Sequence, residues 1–315
     1  MGAFVDAVQV FWHHLSAVRW SPLGIALGFH LLKILARGFA WRNILAAAYP
    51  DVPVRRRGVL GAYVAGVGVN AIAPARAGDL VKLYLVRRRI EGSSYATLAP
   101  TLIVETLFDF FAAGAIFLWA LSAGVLPSTQ VIKRLPSVDW SWPLQHPNVT
   151  IVVAAVILLS LLLVGLRSGR RIQEFRRQVG RGFAILGDPG AYLRGVVSWQ
   201  ALSWLFRLAA IYEFLRAFRL TPSLHNALVV QTVDSLSTLM PFTPGGAGTK
   251  QGLTVYALHE RSASAEVSFS VGMNIALVAV NVLVGFAVLF VMARTLRWRR
   301  LANAQKQESE GAASA

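Results

Sequence analysis

Long apolar runs dominate the chain, and two of them are interrupted by residues that do not continue a helix. Five segments reach or approach the about 20 mostly apolar residues that a membrane-crossing helix needs: residues 22–46, 96–122, 149–166, 193–215 and 267–293. Between the first two lies residues 58–85, broken around Asn70, Pro74, Arg76, Gly78 and Asp79. Between the last two lies residues 224–258, broken by Pro241, Pro244, Gly245, Gly246 and Gly248. Irregular backbone at membrane depth persists only where protein or a water-filled cavity satisfies its N–H and C=O groups. The arms of the broken segments run to about 10 to 18 residues, so the shorter arms fall short of ~30 Å as helices. Each therefore reads as a re-entrant helical hairpin that enters and leaves on one side. Two tilted spans joined by a tight turn are the alternative, and they leave the parity of every other loop unchanged.

Two further stretches show helical spacing of apolar residues. Phe4, Val8, Phe11, Leu15 and Val18 place an amphipathic helix within residues 1–21, in the outer interface. Ile172, Phe175, Val179, Phe183 and Leu186 place another at residues 170–187, opposite Arg171, Arg177 and Arg181. That helix is expected to rest on the inner leaflet and meet anionic head groups. Residues 294–315 read as a basic and then disordered tail.

Composition sharpens the class. Of 315 residues, 55% are hydrophobic and 15% charged, with mean hydropathy +0.54. Soluble domains carry about a quarter charged residues, so this is an all-α polytopic membrane protein. The net charge of +16 does not point to nucleic acid, because the cations cluster beside apolar spans. Cysteine is absent, which removes disulfides, thiolate metal sites and thiol catalysis. Asp6 and His13-His14 stand where a cleavable signal peptide needs a basic start and an apolar core, so none is expected.

Arg55 to Arg57, Arg87 to Arg89, the seven arginines between Arg167 and Arg194, and the cations from Arg294 to Lys306 fall on one side if the N-terminus is outside. The expected location is the cell inner membrane, with the C-terminus cytoplasmic. A displacement of 170 positions then superimposes residues 22–122 on 192–292, with Arg37 on Arg207, Pro74 on Pro244 and Gly78 on Gly248. The span at 149–166 between the units inverts the second relative to the first. The transmembrane domain at 22–293 thus reads as an inverted repeat of span, hairpin and span, about 22–122 and 192–293, an architecture of alternating-access transporters.

Ionisable residues within spans are costly and point to function. Lys33, Arg37 and Trp41 share one face of the first span, and Thr101, Glu105 and Asp109 share one face of the second. Arg207 lies mid-span, one turn after Ser203. Arg76, Asp79, Lys82 and Lys250 lie in or beside the breaks, and Asp234 precedes the second. Lys33, Lys82 and Lys250 are near enough to helix ends to snorkel; Arg37, Glu105, Asp109 and Arg207 are not. Two readings are open for these four: buried pairing that locks helices together, or an anion site in which arginine forks grip phosphate oxygens. Six cations against four acids leave a surplus that suits one phosphate group. In the second break, Gly245, Gly246 and Gly248 let backbone approach a ligand, and the helix restarting near Thr249 would aim N–H groups into it. Plain flexibility for a tight turn is the alternative.

Other chemistry finds less support. The glycine run lacks the Gly-Lys-Ser/Thr order and preceding strand of a nucleotide P-loop. The six histidines are scattered and His13-His14 point apart, so no metal or other cofactor is expected. Glu105 and Asp109 could instead serve as an acid/base pair, or as a metal site with Asn274 or Asn281.

The motifs together resemble the flippase-like transmembrane domain of the lysylphosphatidylglycerol synthase family. The resemblance spans about residues 22–293. It rests on Arg37 with Trp41-Arg42, on Asn70 through Pro74, Arg76, Gly78 and Asp79, on Glu105 with Asp109, and on Pro241, Pro244, Gly245, Gly246 and Gly248. It implies movement of charged-head-group lipids across the bilayer, without lysyl transfer, since the soluble aminoacyl-transferase domain has no counterpart here. Asp79 stands where the family usually has Glu, and Gln251 near where a Glu usually follows the glycine turn. The second difference removes a negative charge and fits an anionic substrate better.

The expectation is a non-catalytic translocase for an anionic, phosphate-headed lipid or polyprenyl-phosphate carrier. Arg37, Arg76, Arg207, Lys250 and the glycine turn would bind it, and Glu105, Asp109, Asp79 and Asp234 would pair with the cations or couple transport to an ion. An intramembrane glycosyl- or phosphotransferase, and a scaffold for lipid-synthesis enzymes, are the alternative classes.

Overall fold

The computed structural model describes residues 18–73, 76–123, 169–239, 254, 258 and 263–313. Among them every regular element is helical: α1 (Trp20–Ala48), α2 (Arg56–Asn70), α3 (Ala77–Arg87), α4 (Tyr95–Ser122), α5 (Gly169–Gly182), α6 (Ser198–Ala217), α7 (Leu224–Leu239) and α8 (Ala263–Ala313). By length and composition, α1, α4 and the Ser264–Thr295 part of α8 are long and apolar enough to cross a membrane. The segment expected to cross at 193–215 is not one of them. It forms a π-helical turn, Leu193–Val197, that runs directly into α6. The 20 residues of α6 reach about 30 Å, but Arg207, Glu213 and Arg216 lower its hydropathy. The span expected at 149–166, the helix at 1–21 except for its last residues, Pro74, and the whole run from Pro241 to Lys250 lie outside the described residues.

α2 and α3 fold back on each other as an antiparallel pair joined across the first break. Their lengths, 15 and 11 residues, correspond to about 22 and 16 Å. Gly66 and Gly78 face each other near the tip. A Cβ on Gly78 would run into the carbonyl oxygen of Gly66 and into Asn70, so only glycine allows this approach. The Gly78 N–H donates to Asn70 Oδ1 at 2.7 Å, supplying one partner for an orphaned N–H at the start of α3. Arg76 makes the bend itself in the left-handed region, with φ 58°.

α1 is the central helix. It lies antiparallel against α6: Arg19 N–H donates to Ala217 O, Phe29 stacks on Phe206, Phe39 on Trp199, and Asn43 donates to Gly195 O. An inverted repeat requires this opposed direction of its two equivalent first spans. α2 crosses α8 backbone to backbone at Gly68 and Gly285, a close approach of the kind small residues permit between membrane helices. α7 meets α4 where His225 packs edge-on against Trp119.

Two apolar clusters occupy opposite ends of the bundle. One gathers Trp41, Ile44, Leu45, Tyr63, Leu83 and Leu98. The other gathers Ala26, Phe214, Leu215, Val230, Phe269 and Met273. The charged residues of α1, α4 and α6 fall between them, at Lys33 and Arg37, Glu105 and Asp109, and Arg207.

The amphipathic helix at the expected 170–187 is α5, followed by a short 3-10 turn, Ala184–Gly187. It is anchored to α4 by Gly182, which lies against Thr97 and Pro100, and by Ser94 donating to Gln178 at 2.8 Å. Phe175 stays 57% exposed and Leu186 is exposed as well, so their apolar surface is not spent on protein contacts. Glu174 accepts from Gln178 and Arg177, which holds its carboxyl below the usual range. α8 continues as helix through Ala313, within the range expected as a tail. Its Ala, Gln, Lys and Glu residues are good helix formers even where composition forbids a packed core.

Candidate functional site

The site begins with register. α1 and α4 run antiparallel, so residues one turn apart on each meet in reverse order. Trp41 Nε1 donates to Thr101 Oγ1 at 3.0 Å, and this contact brings Arg37 opposite Glu105 and Asp109. Arg37 grips Asp109 with both terminal nitrogens, at 3.0 and 2.7 Å, and Nη2 also donates to Glu105 at 3.0 Å. Its Nε donates to the Tyr63 hydroxyl at 2.8 Å, and that hydroxyl donates to Glu105 at 2.6 Å. Every side of the guanidinium is used. This is the fork geometry that distinguishes arginine from lysine.

The hairpin joins the same cluster through Lys82. Its ammonium reaches Asp79 at 3.1 Å and Glu105 at 3.4 Å. It also lies 4.5 Å from the centre of the Tyr63 ring, a cation–π contact. Lys82 is 5% exposed, so it does not snorkel. A lysine near a helix end was expected to reach for water, but the carboxylate of Glu105 holds it inside. Asp79 is tied back to the break by Asn70, whose amide donates at 3.2 Å, and by Arg76 at 3.5 Å.

From the other half, α6 supports α4. Gln200 Nε2 donates to the backbone oxygen of Glu105, and Trp204 Nε1 donates to Asp109 Oδ1, both at 3.0 Å. Among the described residues Arg207 makes one ion pair, to Asp234 at 3.2 Å, and stacks over Trp204. Lys33 lies between the two arginines, within electrostatic reach of Arg37, Arg207, Asp109 and Asp234. Among the described residues it makes no hydrogen bond or ion pair. Asn281 bonds His30 at 2.7 Å and takes no part in an acidic cluster. Among the described residues no three His, Asp or Glu side chains gather as a metal site.

Arg37, Glu105, Asp109, Asp79 and Lys82 are therefore brought into one network. Arg207 and Asp234 stand beside it, linked through Trp204, which Arg207 stacks on and which donates to Asp109. Arg76 is the exception: its side chain is 74% exposed and reaches the network only through Asp79. Gly78 closes the hairpin tip. Lys250, Gly245, Gly246, Gly248, Pro74, Pro241 and Pro244 lie outside the described residues. Without Lys250 the set comes to five cations and four carboxylates. Both pairing partners open to Arg37 in the sequence are used at once.

Three participants escaped the sequence reading. Tyr63 is the one polar side chain in the apolar middle of α2, residues 58–69, and a buried hydroxyl needs a partner. Gln200 is fully buried, and with Trp204 it lies one turn from the next polar residue on a helix that also carries Arg207. A polar stripe at this spacing was the available signal.

Residues 3–285 match the lysylphosphatidylglycerol synthase TM region. The chain belongs to this family. The matched region takes in the whole charged layer and ends where α8 crosses Gly68, so the network described above is part of the family's transmembrane unit. Membership carries a lipid-related role in the membrane. No match is found among curated proteins or among solved structures.

Proposed function

We propose that this member of the lysylphosphatidylglycerol synthase transmembrane family is a non-catalytic translocase for an anionic, phosphate-headed lipid. The observation that carries the reading is the unequal use of the cations in the charged layer. Arg37 is saturated by carboxylates, whereas Arg207 keeps one contact at 3.2 Å and Lys33 none among the described residues. A phosphate would take Lys33 and Arg207 as its first ligands, with Asp234 yielding its partner to the incoming oxygens. Arginine forks and ammonium groups both bind phosphate.

The first hairpin would be re-entrant, since arms of about 22 and 16 Å do not cross ~30 Å of hydrocarbon. Its cluster of Asp79, Lys82 and Glu105 couples any movement of the hairpin to Arg37. Glu105 and Asp109 are occupied by Arg37, Lys82, Tyr63 and Trp204. That occupancy argues against a free acid/base pair and so against a transferase. The arginine-rich helix ends would face the cytoplasm and α5 would lie on anionic inner-leaflet lipid. A change of state on loading requires that the lipid bind one state more tightly than the other.

The test is reconstitution in liposomes with dithionite-quenchable lipids of anionic, zwitterionic and cationic head group. The expected outcome is faster exchange of the anionic lipid alone, lost in Arg207→Ala. Equal exchange of all three lipids, or none of any, would overturn the proposal.

A further inference from the structure

A cavity of about 990 Å³ lies away from the charged layer, at the open end of the α2–α3 hairpin where it meets α8. Its volume is at the upper end of what small-molecule sites occupy. From Lys82 to Arg89 is seven residues of rise, or about 10 Å along the chain direction, so this space is separate from the network around Glu105.

Its two walls differ in chemistry. Arg55, Arg57 and Arg89 line it, with Glu91 as the acid among its lining residues. Below them Val59, Val86, Ile90 and Met292 form a floor that is at most 5% exposed. Arg89 is held in place from both sides. Gly58 leaves room for its stem, since a Cβ there would stand 3.2 Å from Arg89 Cδ, and its Nη2 donates to Thr295 at 3.4 Å. Arg56 and Arg57 open α2 with no acidic residue in the first turn, so the positive end of the helix adds to the same potential.

The depth is informative too. Thr295 is the last residue of the apolar Ser264–Thr295 stretch, and Val291 beside it is 60% exposed. The cavity therefore opens where an apolar span ends, at the level of lipid head groups. We infer that it binds a phosphate-bearing anionic amphiphile, with the phosphate on Arg57 and Arg89 and the chain against Met292 and Val291. Such a ligand bridges the hairpin base to α8. It is a second lipid site, independent of translocation.

Native mass spectrometry of the detergent-purified full chain tests this, with phosphatidylglycerol, phosphatidylcholine and inorganic phosphate as probes. Wild type should retain phosphatidylglycerol over phosphatidylcholine, and Arg57→Gln with Arg89→Gln should weaken retention about tenfold or more. Val291→Trp, at an exposed position, should narrow the cavity and weaken it as well, which covers the case of a double variant that does not fold. Arg177→Gln on α5 should leave retention unchanged. Retention of the same number of phosphatidylglycerol molecules by wild type, the monodisperse double variant and Val291→Trp would overturn the inference. Equal retention of phosphatidylcholine would also overturn it, and displacement of the lipid by millimolar phosphate alone would reassign the site to free phosphate.

Discussion

Arg37 and Arg207, 170 residues apart, lie on two antiparallel helices, yet their surroundings differ in kind. Arg37 donates to Tyr63, Glu105 and Asp109. Arg207 donates to Asp234 alone among the described residues. The cause lies in the neighbours. α4 presents two carboxylates one turn apart and α2 adds a phenol, whereas α7 brings one carboxylate near α6. Among the described residues one arginine thus ties α1 to α2 and α4, while the other makes a single ion pair to α7.

The most direct way to break this comparison is Arg37→Ala. It leaves Glu105, 3% exposed, with Lys82 as its one ion-pair partner among the described residues, beside the Tyr63 hydroxyl, and removes the fork from Asp109. Loss of one member of a buried pair costs about 3–5 kcal/mol, read as a large drop in thermal midpoint in detergent. A midpoint near wild type would mean that the network does not lock the helices. Next comes Gly68→Leu, which forces apart the Gly68–Gly285 crossing; overpacking of this kind costs about 1–3 kcal/mol. If it destabilises more than Arg37→Ala, the rigidity of the first half comes from the helix crossing and not from charge. Arg207→Ala should have the smallest effect, about 1–2 kcal/mol for one charged hydrogen bond that is about 30% exposed. Arg207→Lys should keep stability and most lipid exchange, while Arg37→Lys should not, because an ammonium does not reproduce the fork. Equal tolerance of lysine at both positions would erase the distinction.

The hairpin shows how far local sequence reaches. Arms and break were legible because Pro74, Gly78 and the apolar runs beside them act within a turn of their own positions. Lys82 was misjudged for the complementary reason: its distance from a helix end is local, but the carboxylate that holds it comes from α4, 23 residues on. Residues 301–313 run on as helix because low hydrophobicity forbids a core without forbidding backbone hydrogen bonds.

By itself the sequence determined the all-helical membrane class and the first helix break, between α2 and α3. These follow from transfer free energies and backbone propensities that each segment carries alone. Only the tertiary structure decided that Arg37 takes both acids, that Tyr63 and Trp204 add hydrogen bonds to those acids and Gln200 one to the Glu105 backbone, and that Arg76 stays at the rim. Those outcomes depend on the register between helices, set at contacts such as Trp41 with Thr101 and Gly66 with Gly78, and a shift of one residue would turn each side chain to a different neighbour.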